Sequence, residues 1–137
     1  MKNVAYLRVS TDQQDLDNQR LAILEYAHHQ GIQIDQFIQS QMSSRKSPKE
    51  RQLDYLLEML ESNDTLIVSE LSRLGRSLGQ IIQFIDEIVE KRVNFIALKE
   101  DITLVGKRDI KTKVMIAMFG LFAEIERDLI SQRTKEG

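Results

Sequence analysis

Val4-Ala5-Tyr6-Leu7-Arg8-Val9-Ser10 is a short run of β-forming residues with an arginine and a serine at its end. Three further apolar runs read as strands in the same way: Ile32 to Ile38, Thr65-Leu66-Ile67-Val68, and Val93 to Leu98. The segments between them repeat apolar residues at three and four. They carry Leu16, Leu21, Ile23, Leu24 and Ala27, then Leu53, Leu56, Leu57 and Leu60, then Ile81, Ile85, Ile88 and Val89. That period is the amphipathic helix. Strands alternating with helices require crossover connections, so the chain is expected to be an α/β protein. Its sheet should be open and mainly parallel, with four to five strands flanked by helices.

The boundaries have matching chemistry. Ser47-Pro48-Lys49-Glu50 joins a capping box to a proline at the first helical position, and Ser77-Leu78-Gly79-Gln80 has the same box form. Gly31 is placed to end the first helix, and Asn63-Asp64 to make the turn after the second. From Lys111 to Lys135 there is no proline and only Gly120, which predicts one long C-terminal helix of roughly six or seven turns. Its apolar positions Val114, Met118, Leu121, Phe122, Ile125, Leu129 and Ile130 suit either a central core helix or one shared with a partner subunit. The expected division is an α/β core at 1–110 and an interface helix at 111–137. Helical character still runs at Glu136-Gly137, so a cut between domains is expected there.

Composition narrows the chemistry. The 137 residues include no cysteine and only two histidines, and the formal net charge is −2, from 19 basic and 21 acidic residues. A disulfide framework and a thiolate metal site are excluded, and a reducing, cytoplasmic setting is expected. No apolar run approaches the ~18 to 20 residues that span a bilayer, and no membrane association is expected. His28 and His29 are adjacent on one helix and point in different directions, which disfavours a histidine triad or a histidine metal site. No Gly-rich phosphate loop occurs, and the first strand ends without an acid, which disfavours nucleotide hydrolases and phospho-aspartate receivers. The near-neutral sum argues against a surface that grips nucleic acid throughout.

Arginine and serine remain. Strand alternation puts Tyr6, Arg8 and Ser10 on one face, and parallel sheets bind ligands beyond the carboxyl ends of their strands. A serine before Thr11-Asp12 commonly caps a helix, but the neighbouring Arg8 at a buried strand end calls for an anion. After the third strand, Arg73 and Arg76 stand three apart and are expected to share a helical face beside the same crevice. Guanidinium forks suit phosphate oxygens and stay charged at any working pH. The loop Gln41 to Arg51 has four cations and one acid and reads as a solvated connection or as a flap carrying Arg45 or Arg51.

Three blocks together resemble the catalytic domain of the serine recombinases, the resolvase and DNA invertase family. They are Tyr6-Leu7-Arg8-Val9-Ser10-Thr11 with Gln14 and Gln19, then Ser72-Arg73-Leu74-Gly75-Arg76-Ser77, then Phe122 to Thr134. Their order and spacing cover essentially the whole chain. The resemblance implies a site-specific recombinase that cleaves and rejoins double-stranded DNA for resolution, inversion or integration. Ser10 would form a 5′-phosphoserine link, with neither metal, ATP nor any other cofactor. It implies Arg8, Arg73 and Arg76 as the groups that stabilise the transferring phosphate, joined by a flap arginine, Arg51 in preference to Arg45. Tyr6, Gln14, Gln19, Ser72, Arg127 and Arg133 are implied as supporting or DNA-binding positions, with Glu126 near the site or the dimer contact. It further implies a homodimer that becomes a tetramer in synapsis, and a C-terminal DNA-binding domain beyond Gly137. Two positions depart from the family: Ser72 and Gln39 stand where it usually has aspartate, and Glu70 is the nearby carboxylate that could substitute. A silent homologue that bridges or regulates DNA is the alternative these departures suggest. A generic flavodoxin-like anion-binding domain would leave the three blocks unexplained.

Overall fold

The computed structural model describes residues 1–9, 13–41, 48–75 and 78–105. In the C-terminal segment it also describes Val114, Met115, Ala117, Met118, Leu121, Ile125, Asp128 and Leu129. For Val9, Gln41, 48–52 and Leu78 the description is of the backbone. The elements are β1 (Asn3–Val9), α1 (Gln13–Gln30), β2 (Gln36–Gln41), α2 (Pro48–Met59), β3 (Thr65–Val68), a 3₁₀ turn (Leu71–Leu74), α3 (Leu78–Glu90), β4 (Asn94–Ala97) and β5 (Ile102–Leu104). The sheet order is β2-β1-β3-β4-β5. The first four strands are parallel and β5 runs antiparallel to β4, as in the expected four-to-five-stranded, mainly parallel sheet.

The β1 alternation works on both faces. Val4 and Tyr6 enter the larger core with Leu56 of α2 and Leu60 just after it, Ile81, Ile85 and Ile88 of α3, and Phe95 of β4. Ala5 and Leu7 enter the smaller core under α1, with Leu16, Ile23 and Ile67. Both faces of the central strands are thus covered, the condition for a parallel sheet. Strand order reverses at β1, since its first crossover leads outward to β2 and the next returns to β3 on the other side. The crevice between the carboxyl ends of β1 and β3 is therefore the topological switch point, where open α/β sheets bind ligands.

Helix ends follow the sequence signals, with corrections. Gly31 has φ +69°, and the Ile32 and Gly31 amides donate to Ala27 O at 2.9 Å and His28 O at 3.3 Å, a Schellman closure of α1. Arg92, at φ +63°, ends α3 in the same pattern through Val93 N–H to Ile88 O (3.1 Å) and Arg92 N–H to Val89 O (3.0 Å). In α1 the buried stripe is Leu16, Gln19, Ile23 and Ala27; Leu21 and Leu24 face outward, contrary to the apolar count. The second strand starts at Gln36, not at Ile32. Asp35 bridges Asn3 from outside the strand, its N–H donating to Asn3 O at 2.8 Å while its carboxylate accepts Asn3 N–H at 2.7 Å. Ile32 and Ile34 instead pack against the α1-side core. At the other end of the sheet, Asp64 is buried and accepts the N–H groups of Lys2 (2.9 Å) and Glu61 (2.8 Å).

All eight described residues of the C-terminal segment are helical. Met115 packs on the larger core. Val114, Met118, Leu121, Ile125 and Leu129, spaced four, three, four and four, are 45% to 56% exposed. The rest of the predicted long helix lies outside the described residues.

Candidate active site

Arg8 is the second-last residue of β1, opposite Ser40 of β2, and it is only 9% exposed. On the other side the β1–β3 register stops at Tyr6 and Val68, before it reaches Arg8. A buried peptide group without a ladder partner needs another one. Gln19, the polar member of the buried α1 stripe, supplies it: Arg8 N–H donates to Gln19 Oε1 (3.3 Å), and Gln19 Nε2 donates to Arg8 O (3.0 Å). The side-chain amide thus stands where the next residue of β3 would have paired.

The chain that leaves β3 turns through Leu71–Leu74 across the same crevice. Leu71 and Leu74 are buried, and the Glu100 carboxylate caps the turn by accepting Leu71 N–H at 3.2 Å. Gly75 follows in extended conformation (φ −180°), and a Cβ there would lie 3.0 Å from Gln80 Cβ, a contact that α3 could accept only by giving way a few tenths of an ångström. The extended Gly75 also corrects one expectation. The helical turn ends at Leu74, so no continuous helical face joins Arg73 to Arg76.

This packing brings Arg73 and Arg8 together. Arg8 Nη2 donates to Ser72 O at 2.6 Å, and Arg73 Nη1 donates to Arg8 O at 3.3 Å. Arg73 Nη2 pairs with Asp15 Oδ1 and Glu70 Oε1, each at 2.9 Å. Asp15 Oδ2 also accepts Gln19 Nε2 at 3.1 Å, and Lys99 Nζ lies 3.2 Å from Glu70 Oε2. Burial would raise the Glu70 pKa, but hydrogen bonds from Lys99 and Ser72 and the charges of Arg73 and Lys99 outweigh it and hold the carboxyl below its ordinary value. Tyr6 lies under Arg8 on the same strand face. Burial raises its pKa, against the Ser40 hydrogen bond and the Arg8 charge.

Of the residues singled out in the sequence, Tyr6, Arg8, Gln19, Ser72 and Arg73 meet here, Ser72 contributing its carbonyl to Arg8. Gln14 lies in the first turn of α1 with an exposed side chain. Gln39 is exposed on β2, opposite Leu7. Arg51 belongs to α2, its side chain outside the described residues. Ser10, Arg45, Arg76, Glu126, Arg127 and Arg133 also lie outside them. Asp15 and Lys99 escaped the sequence reading, although Asp15 sits one helical turn before Gln19, on the same side of α1. Of the acids Glu58, Glu61, Asp86 and Glu87, which the sequence puts on helices away from the arginines, Glu58, Asp86 and Glu87 lie exposed on helices and Glu61 lies exposed beyond the end of α2, but Asp15 and Glu70 neutralise the cluster itself.

The Arg8–Arg73 cluster lies at the switch point of the α/β sheet, the place where open sheets of this class bind their ligands. A family model described as the resolvase N-terminal domain matches residues 3–137. A resolvase of Clostridium perfringens (strain 13 / Type A) is 36% identical over 135 residues, 98% of this chain and 68% of that protein. The transposon Tn552 DNA-invertase BinR of Staphylococcus aureus is 33% identical over 134 residues, 98% of this chain and 66% of that protein. Among solved structures, a resolvase family site-specific recombinase from Streptococcus pneumoniae superposes with a TM-score of 0.72 at 25% identity, covering 100% of this chain and 95% of that one. The N-terminal catalytic domain of TP901-1 integrase gives a TM-score of 0.67 at 24% identity, covering 93% and 98%. The chain belongs to the resolvase N-terminal domain family, and its function is site-specific DNA recombination of the serine recombinase class.

Proposed function

We propose that Ser10 is the nucleophile and that Arg8 and Arg73, with Arg76 and Arg51, stabilise the phosphate it attacks. The observation that carries this reading is the joined Arg8–Arg73 cluster at the end of β1. Covalent geometry keeps the Ser10 Cα within about 7 Å of the Arg8 Cα. Ser10 Oγ attacks phosphorus and loses its proton, the P–O3′ bond breaks, and the leaving 3′ oxygen takes up a proton. The product is a 5′-phosphoserine ester and a free 3′-hydroxyl. Reversal on an exchanged strand restores the phosphodiester, so the bond energy is kept. Negative charge spread over the phosphoryl oxygens in the transition state is met by fixed guanidinium donors in a partly buried site, where such donors act most strongly.

Double-stranded DNA carrying a recombination site is the substrate, met in the cytoplasm. The working unit is a homodimer, paired into a tetramer in synapsis. The apolar line of Val114, Met118, Leu121, Ile125 and Leu129 supports a helix shared between subunits, since a stripe of that length exposed on one helix side needs a cover. Segment 111–137 then serves as the interface helix after the 1–110 core, leading to a DNA-binding domain. Among the described residues no helix is long and apolar enough to cross a membrane. Incubating the full chain with a centrally nicked duplex, which loses a short strand on cleavage, tests the nucleophile. The expected result is a covalent protein–DNA adduct that Ser10→Ala abolishes; an adduct undiminished in Ser10→Ala refutes the assignment.

A further inference from the structure

Four groups at the end of β1 form a closed ring. Gln19 Nε2 and Arg73 donate to the same two acceptors, Arg8 O (3.0 and 3.3 Å) and the Asp15 carboxylate (3.1 and 2.9 Å). Asp15 is the only charged acceptor of the four. It lies in the first turn of α1, while Arg73 follows β3, so the ring ties three separate elements together. Without Asp15, Gln19 would still hold the Arg8 peptide group, but Arg73 would keep only the carbonyl contact and Glu70, its neighbour at i−3 on the same turn. That pair moves with the turn and fixes nothing relative to β1. The two long side chains of an isolated, partly exposed ion pair are held weakly. A guanidinium gripped from two elements at once retains far less freedom.

We propose that Asp15 is a positioning residue for the recombination reaction: it aims the Arg73 guanidinium across the switch point at the phosphate attacked by Ser10. It thereby does the orienting work of a carboxylate that this chain lacks at Ser72. The inference rests on the proposed roles of Ser10 and Arg73. It assigns Asp15 no contact with DNA, so Asp15 acts on the rate of cleavage and not on affinity.

The test uses the full chain and a duplex selected from random sequence by binding to Ser10→Ala, then nicked at its centre. Adduct formation is followed over a range of DNA concentrations. Asp15→Asn keeps the shape but removes the charge. It is expected to lower the rate at saturating DNA about thirtyfold, the order of loss that follows a misplaced catalytic group, with half-saturation unchanged within twofold. Asp15→Glu, which restores the carboxylate, is expected to recover at least a third of the wild-type rate. A rate for Asp15→Asn within threefold of wild type overturns the proposal. So does a deficit removed by more DNA, or a rate above wild type, which would make Asp15 a mask on Arg73. A second measurement is independent of cleavage: the Arg73 side-chain N–H resonances, assigned with Arg73→Lys, should shift and exchange faster in Asp15→Asn. Unchanged resonances also overturn it. If wild type forms no adduct, the underlying serine chemistry fails, while the resonances still decide whether Asp15 holds the guanidinium.

Discussion

Replacing Gln19 by methionine removes the polar atoms that complete the end of β1 while nearly conserving side-chain volume. Gln19 is 4% exposed, so its amide is shielded from bulk solvent. Arg8 O keeps the Arg73 Nη1 bond, and Asp15 keeps its Arg73 pair. The bond lost is the one from Arg8 N–H to Gln19 Oε1. A buried backbone donor left unmade costs about 1–3 kcal/mol, and the volume-conserving exchange adds little strain, so the expected loss is about 2 kcal/mol. A chain of this size unfolds with an entropy of about 0.3 kcal/mol/K near its midpoint, so the loss lowers Tm by about 7 °C. Thermal unfolding by circular dichroism at pH 7 reads this directly, with the exposed His29→Ala as a control expected to move Tm by less than about 1 °C. A Gln19→Met shift under 2 °C would refute the account of Gln19 as the missing ladder partner.

Two other sites give independent outcomes. Burial works against ionisation of Asp64, but the Lys2 and Glu61 amides and the charges of Lys2 and the N-terminus outweigh it and hold its carboxyl below the ordinary value. The unfolded chain therefore binds the proton more readily. The stabilisation is fully present above the ordinary carboxyl range, about pH 4, and is lost as pH falls through the lower folded value. Asp64→Asn should cost about 2 kcal/mol at pH 7 and less near pH 2, read from urea unfolding at both values; an equal cost at both would contradict it. At Arg92, φ +63° is left-handed backbone that a side chain resists. Arg92→Gly should raise stability by about 0.5–1 kcal/mol, and a destabilisation in the same urea assay would show that the side chain contributes more than its strain.

The central strands were legible because β1 and β3 are covered on both faces, so Val4 to Leu7 and Leu66 to Val68 are apolar throughout. β2 was misplaced for the complementary reason. As an edge strand it carries Gln36, Gln39 and Gln41, while the apolar Ile32 and Ile34 belong to the approach beneath α1. In α1, counting apolar residues promoted Leu21 and Leu24 over Gln19, because periodicity cannot tell a buried amide from a surface one. The arginines could be read from motif and strand end. Their carboxylate partners could not: Asp15 meets Arg73 across 58 positions of chain, a pairing that only the crossover from β2 to β3 creates.

Ser10 is proposed to form a covalent DNA link beside the Arg8–Arg73 cluster. Tryptic peptide mapping of the trapped adduct by mass spectrometry tests it most directly. The nucleotide-bearing phosphate is expected on the peptide that contains Ser10, joined through the 5′ end of the DNA. An adduct on another side chain, or one joined through the 3′ end, would contradict it.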